Sequence, residues 1–132
     1  MDNKLKLLDT TFLIDLLRGK QEAIKIARSK ELFLTTQINI YEVMKGMFLR
    51  NVSSRKFLDI QELFENIRVL PLDDAGLIKS AEISSFLTKK GLFVADSDCL
   101  IAGITLSKGV STIVTKNIDH FSRMKGIEVE QY

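Results

Sequence analysis

The chain opens on a short apolar run, Leu5 to Leu8, closed by Asp9-Thr10-Thr11. That pattern predicts a buried strand followed by a helix whose start a Thr hydroxyl can cap. Phe12, Leu13, Leu16 and Leu17 then recur at helical spacing up to Arg18-Gly19, and Ala23, Ile24 and Ala27 mark a second helical stretch. Leu32 to Thr35 reads as a short strand, with Thr36 or Asn39 opening the next helix. Residues 53 to 65 and 73 to 89 carry apolar side chains at helical spacing, opened by Ser and Asp respectively, with Arg68 to Leu70 as a strand between them. From Asp98 an apolar helix runs to Gly109; Ser111 to Val114 and Ile127 to Val129 follow as strands, the last of them edge-like. Strands alternate with helices throughout. This predicts an α/β domain with a mostly parallel, short-stranded sheet between helical layers, and a ligand site beyond the carboxyl ends of the strands.

Composition narrows the chemistry. A chain of 132 residues without a Pro/Gly/Ser-rich linker or repeat is read as a single domain, 1 to 132. With 19 Lys and Arg against 17 Asp and Glu, bulk attraction for nucleic acid is weak and any such contact must be local. One cysteine and one histidine exclude a disulfide framework and a Cys/His zinc cluster, so a metal site must be built from oxygen. Asp9 and Asp15 interrupt the apolar N-terminal stretch, which fits neither a signal peptide nor a membrane span; a cytoplasmic protein is expected.

The polar residues at the strand ends carry the functional signal. Asp9 closes the first strand, where its carboxylate either caps the helix or points into the crevice above the sheet. Glu42 lies on a helix that is apolar almost all round, sharing a stripe with Ile38, Gly46 and Leu49. A carboxylate there is partly buried and calls for a cation, a donor or a metal, unless it snorkels to water or pairs with Lys45. Asp96 and Asp98 flank Ser97 at a helix start, where the dipole accounts for one acid better than for two. Thr115, Asn117, Asp119 and His120 crowd into TKNIDHF after the next strand, a sequence that alone reads as a polar turn. Together these groups form an oxygen-rich set suited to Mg²⁺ or Mn²⁺, which keeps waters and completes its shell with phosphate oxygens.

These residues resemble the PIN-domain ribonucleases, specifically the VapC-type toxins of prokaryotic toxin-antitoxin modules. The opening D-T/S-x-x-L/I is matched from Asp9 to Leu13, the helical E-L/V-x-x-G from Glu42 to Gly46, and D-x-L-I-A-A from Asp98 to Gly103, with Gly for the last Ala. The closing T-x-N-x-x-D/E/H-F is matched from Thr115 to Phe121, but His120 stands before Phe121 and the acid is at Asp119. The resemblance implies a PIN-like fold with helices on both faces of the sheet and a homodimer. It also implies an RNA substrate and a small antitoxin whose C-terminal segment lies across the active site. Asp9 and Asp98 would ligate the ion, and Glu42 would ligate it or hold its water. Asn117 and Asp119 would bind a second ion or orient the water, and Thr11 would donate to a carboxylate or phosphate oxygen. Lys116, Arg123, Lys125, Arg18 and Lys20 are candidates for phosphate contacts.

Other readings fit less well. A haloacid-dehalogenase-type phosphatase needs a second Asp two residues after the first, where Thr11 stands; a receiver domain needs an Asp ending a central strand, and Leu32 to Thr35 ends without one. A PIN-like binding module without catalysis is the remaining alternative, against which the three intact acids argue.

Overall fold

The computed structural model describes residues 4–29 and 31–132. Its centre is a five-stranded sheet in the order β3-β2-β1-β4-β5, every neighbouring pair parallel. The strands are β1 (Leu5–Leu8), β2 (Leu32–Thr36), β3 (Arg68–Leu70), β4 (Thr112–Val114) and β5 (Glu128–Glu130). The helices between them are α1 (Thr10–Leu17), α2 (Gln21–Ala27), α3 (Gln37–Arg50), α4 (Ser54–Glu65), α5 (Asp74–Lys89), α6 (Asp96–Ser107) and α7 (Ile118–Ser122). The chain moves from β1 outward to β2 and β3, then jumps back to β4 and β5. Because parallel crossovers are right-handed, the two directions of travel put their helices on opposite faces.

The cores follow that division. Leu8 and Val114 face α1 to α4 and pack with Phe12, Leu13, Ala23, Val43, Met47 and Ile60. Their neighbours Leu7 and Ile113 point the other way, into a layer of α5 to α7 built on Leu87, Ile101, Ile104 and Phe121. Gly103 brings α5 and α6 unusually close: a Cβ at this position would lie 2.0 Å from the Ser80 Oγ. This explains the glycine that departs from the family-like D-x-L-I-A-A run.

The predicted elements are present, with local shifts. Ser53 and Asp73 cap α4 and α5 through side-chain acceptance from Lys56 N and Gly76 N, as their positions suggested. Thr36, at the end of β2, caps α3. TKNIDHF is the main correction: its second half is helix α7, anchored by the fully buried Phe121, and not only a polar turn. No helix among the described residues is long and apolar enough to cross a membrane.

Candidate active site

The direction of chain travel reverses between β1 and β4, and the crevice beyond their carboxyl ends is the topological switch point where open α/β sheets place ligands. Asp9 follows β1 and Thr115 follows β4, joined by the ladder bond from Asp9 N to Val114 O at 3.1 Å. Asp9 occupies the N-cap position of α1, yet its side chain makes no capping bond. The carboxylate instead turns toward side chains at the end of β4 and on α3, and the residue is 1% exposed. Its Oδ2 accepts from the Thr115 hydroxyl at 2.6 Å and its Oδ1 from Asn39 Nδ2 at 3.1 Å.

Glu42 comes from α3 and is half-buried. Its Oε1 accepts from the Thr10 hydroxyl at 2.6 Å, and no ion pair joins it to Lys45 among the described residues. Asp98 lies in the first turn of α6, whose N-cap is Ala95, and is buried. Its Oδ2 meets His120 Nδ1 at 2.8 Å. A carboxylate accepts here, so the imidazole presents Nδ1–H to Asp98.

Burial pushes Asp9 up to about 6; the Thr115 hydroxyl and the Thr10 backbone pull the other way, and the charges of Asp98 and Glu42 add to the rise. The two other acids are therefore within electrostatic reach. No lysine or arginine among the described residues forms an ion pair with Asp9, Glu42 or Asp98. Nor do any three Asp, Glu, His or Cys side chains among those residues converge tightly enough to form a ready ligand cage. Each acid is held by at least one protein donor. An all-oxygen, water-completed donor set of this kind fits a hard divalent cation, which binds through one or two carboxylates and retains waters.

Several sequence expectations land elsewhere. The hydroxyl that reaches a site acid from the start of α1 is Thr10, because Thr11 points to the β4–α7 turn, where its Oγ1 lies 3.3 Å from that of Thr115 and accepts from Lys116 N at 3.1 Å. Asp119 is exposed in the first turn of α7 and has no hydrogen bond or ion pair among the described residues; the next residue round the helix, His120, is the one turned toward Asp98. Asp96 is exposed, and Asn117 contributes its backbone N–H to Thr115 Oγ1 at 2.9 Å. Lys116 points away from the crevice and pairs with Asp15 at 2.9 Å. Asn39, considered in the sequence only as a helix start, is the buried donor to Asp9; its signal was the T-x-x-N spacing with Thr36.

A family model described as PIN domain matches residues 6–127. The tRNA(fMet)-specific endonuclease VapC of Salmonella typhimurium is 27% identical over 128 residues, covering 96% of both chains. The crystal structure of DNA-bound VapBC from Salmonella typhimurium superposes with a TM-score of 0.82 at 26% identity, covering 97% of this chain and 98% of that one. A VapBC2 structure from Rickettsia felis, bound to a promoter DNA fragment, reaches a TM-score of 0.86 at 17% identity over 97% and 98% of the two chains, a likeness of fold.

Proposed function

The chain belongs to the PIN-domain family, and from that premise we propose that it is a Mg²⁺- or Mn²⁺-dependent endoribonuclease acting in the cytoplasm as the toxin of a type II toxin-antitoxin pair. The observation that carries this reading is a fully buried carboxylate, Asp9, whose charged neighbours are two more carboxylates, Glu42 and Asp98. A buried carboxylate beside two others, with no basic partner among the described residues, is suited to balance by an external cation.

Asp9 and Asp98 would be the ligating carboxylates, and Glu42 would ligate the ion or hold its water. A divalent ion held there supplies neutralisation of phosphate charge and activation of water for hydrolysis. Thr115 and Asn39 fix the Asp9 carboxylate from two sides, while Thr10 fixes Glu42. His120 fills the fourth position of the motif, steadying Asp98 through Nδ1. The Salmonella relative's name supports RNA as the substrate class, and the VapBC complexes support a small antitoxin as partner. Tyr41, Phe48, Leu49 and Leu58 of α3 and α4 are mostly exposed, more apolar surface than one domain needs, which favours a homodimer and a bound antitoxin.

Purified protein with Mn²⁺ or Mg²⁺ is expected to cleave RNA, to stop on addition of EDTA, and to lose activity in Asp98→Asn with the fold retained. Cleavage that persists unchanged in EDTA or in the variant contradicts the metal-dependent reading. RNA binding without cleavage under any ion supports the binding-module alternative.

A further inference from the structure

Asn39 carries a larger share of the site than a helix cap requires. It is fully buried, in the first turn of α3, and all of its side-chain hydrogen-bonding capacity is used. Oδ1 accepts from Thr36 N at 3.2 Å and from Thr36 Oγ1 at 2.7 Å, closing a capping box with the reciprocal bond from Asn39 N to Thr36 Oγ1. Nδ2 gives one hydrogen to Asp9 Oδ1 at 3.1 Å and the other to Thr10 Oγ1 at 3.0 Å. The Thr10 hydroxyl then donates onward to Glu42 Oε1 at 2.6 Å.

The amide can sit only one way round. The Thr36 backbone N–H is a pure donor and must face Oδ1, whereas the ionised Asp9 carboxylate is a pure acceptor and must face Nδ2. A capping box needs the acceptor alone, and Glu or Gln normally supplies it at this position. The donor half of Asn39 is therefore surplus to the helix. Both of its hydrogens go to a different element, the β1–α1 turn, and both end on groups that touch the crevice.

We propose that Asn39 is a positioning residue that sets the spacing of the Asp9 and Glu42 carboxylates, directly at Asp9 and through the Thr10 hydroxyl at Glu42; the proposal rests on the reading that these two acids serve one cation. Asn39 and Glu42 lie three residues apart on one stripe of α3, so the link through Thr10 closes a ring between α3 and the start of α1. Sliding of α3 past that turn would part the two acids.

Thr10→Val leaves the capping box intact and cuts the link to Glu42; Thr10→Ser keeps the hydroxyl; Asn39→Leu removes both arms at similar volume. With Mn²⁺ alone as the probe in calorimetry, Thr10→Val is expected to weaken binding about ten- to hundredfold, the usual effect of losing a group that orients a ligand. Its kcat on RNA should fall with little change in KM, and Thr10→Ser should restore both. Asn39→Leu, if it folds, should lose more than Thr10→Val. Metal-free crystal structures of parent and Thr10→Val provide a readout that does not depend on the function. A displaced Glu42 carboxylate supports the positioning role even if the parent neither binds Mn²⁺ nor cleaves RNA, an outcome that removes the functional reading alone. An unmoved Glu42, or parent-like Mn²⁺ affinity and kcat in Thr10→Val, overturns the proposal.

Discussion

Two buried aspartates stand at the two ends of the same helix, and their surroundings push them in opposite directions. Asp9, at the start of α1, is 1% exposed, and Asp15, near its end, is 8% exposed. Around Asp9 the protein places two neutral donors and two further acids, and with burial leading the carboxyl rises to about 6. Burial also pushes Asp15 upward, but Lys116 and the Tyr132 hydroxyl bond to it, Lys20 adds its charge, and the balance holds it below the ordinary carboxylate range. Tyr132 is pushed up in turn, by burial and by Asp15, and its ring stands edge-on to Phe12 with centroids 5.0 Å apart. Burial alone does not separate a functional carboxylate from a structural one. The sign of the neighbours differs: Asp15 is neutralised by Lys116, whereas Asp9 has two acids nearby and no basic partner among the described residues.

One turn serves both residues. Thr115 gives its side chain to Asp9, and the next residue, Lys116, gives its ammonium to Asp15. The clearest way to break the contrast is to neutralise each acid. Asp9→Asn is expected to reduce RNA cleavage by about 10³-fold, the scale of several kcal/mol of lost charge stabilisation, whereas Asp15→Asn should cleave close to the parental rate. Equal losses in a cleavage assay would erase the distinction.

Stability against pH sharpens it further. In metal-free protein the native state holds the Asp9 proton up to about 6 while the unfolded chain releases it near 3.8, so stability falls as pH rises through that window. The difference amounts to about 3 kcal/mol at roughly 1.4 kcal/mol per pH unit, and Asp9→Asn should flatten it. Asp15 has the opposite sign: its contribution is complete above about 3.8 and is lost as the solution becomes more acidic. Denaturant unfolding of parent and both variants between pH 3 and 8 checks both slopes. The smallest effect belongs to Tyr132→Phe, which keeps the ring against Phe12 and removes the hydroxyl bond. A stability loss of about 1 kcal/mol is expected from thermal melts, with cleavage unaffected.

The acids were legible in the sequence because their positions are local facts. Asp9 directly follows an apolar strand, Glu42 interrupts an apolar helix, and Asp98 opens one; the caps at Ser53 and Asp73 likewise announce their helices within a few residues. Helix α7 was not legible, since five residues give no amphipathic period and Asn117 makes no side-chain cap. The supports of the site were hidden for another reason. Asn39 reaches Asp9 across 30 residues and Tyr132 reaches Asp15 across 117, so both depend on how helices register against strands. That register also decides between adjacent candidates: Thr10 and not Thr11 meets an acid, and His120 and not Asp119 turns inward.

On the proposed function, Asp9, Glu42 and Asp98 form a divalent-cation site while Asp15 belongs to the scaffold. Thermal melts of the parent, Asp9→Asn and Asp15→Asn, each in EDTA and in saturating Mn²⁺, test it most directly. An ion that binds only the folded state adds about 2.7 kcal/mol at roughly a hundredfold excess over its dissociation constant. The expected result is a clear Mn²⁺ shift in the parent, the same shift in Asp15→Asn from a lower starting point, and little or none in Asp9→Asn, which in EDTA melts at or above the parent. An equal Mn²⁺ shift in Asp9→Asn and Asp15→Asn, or none in the parent, would contradict it.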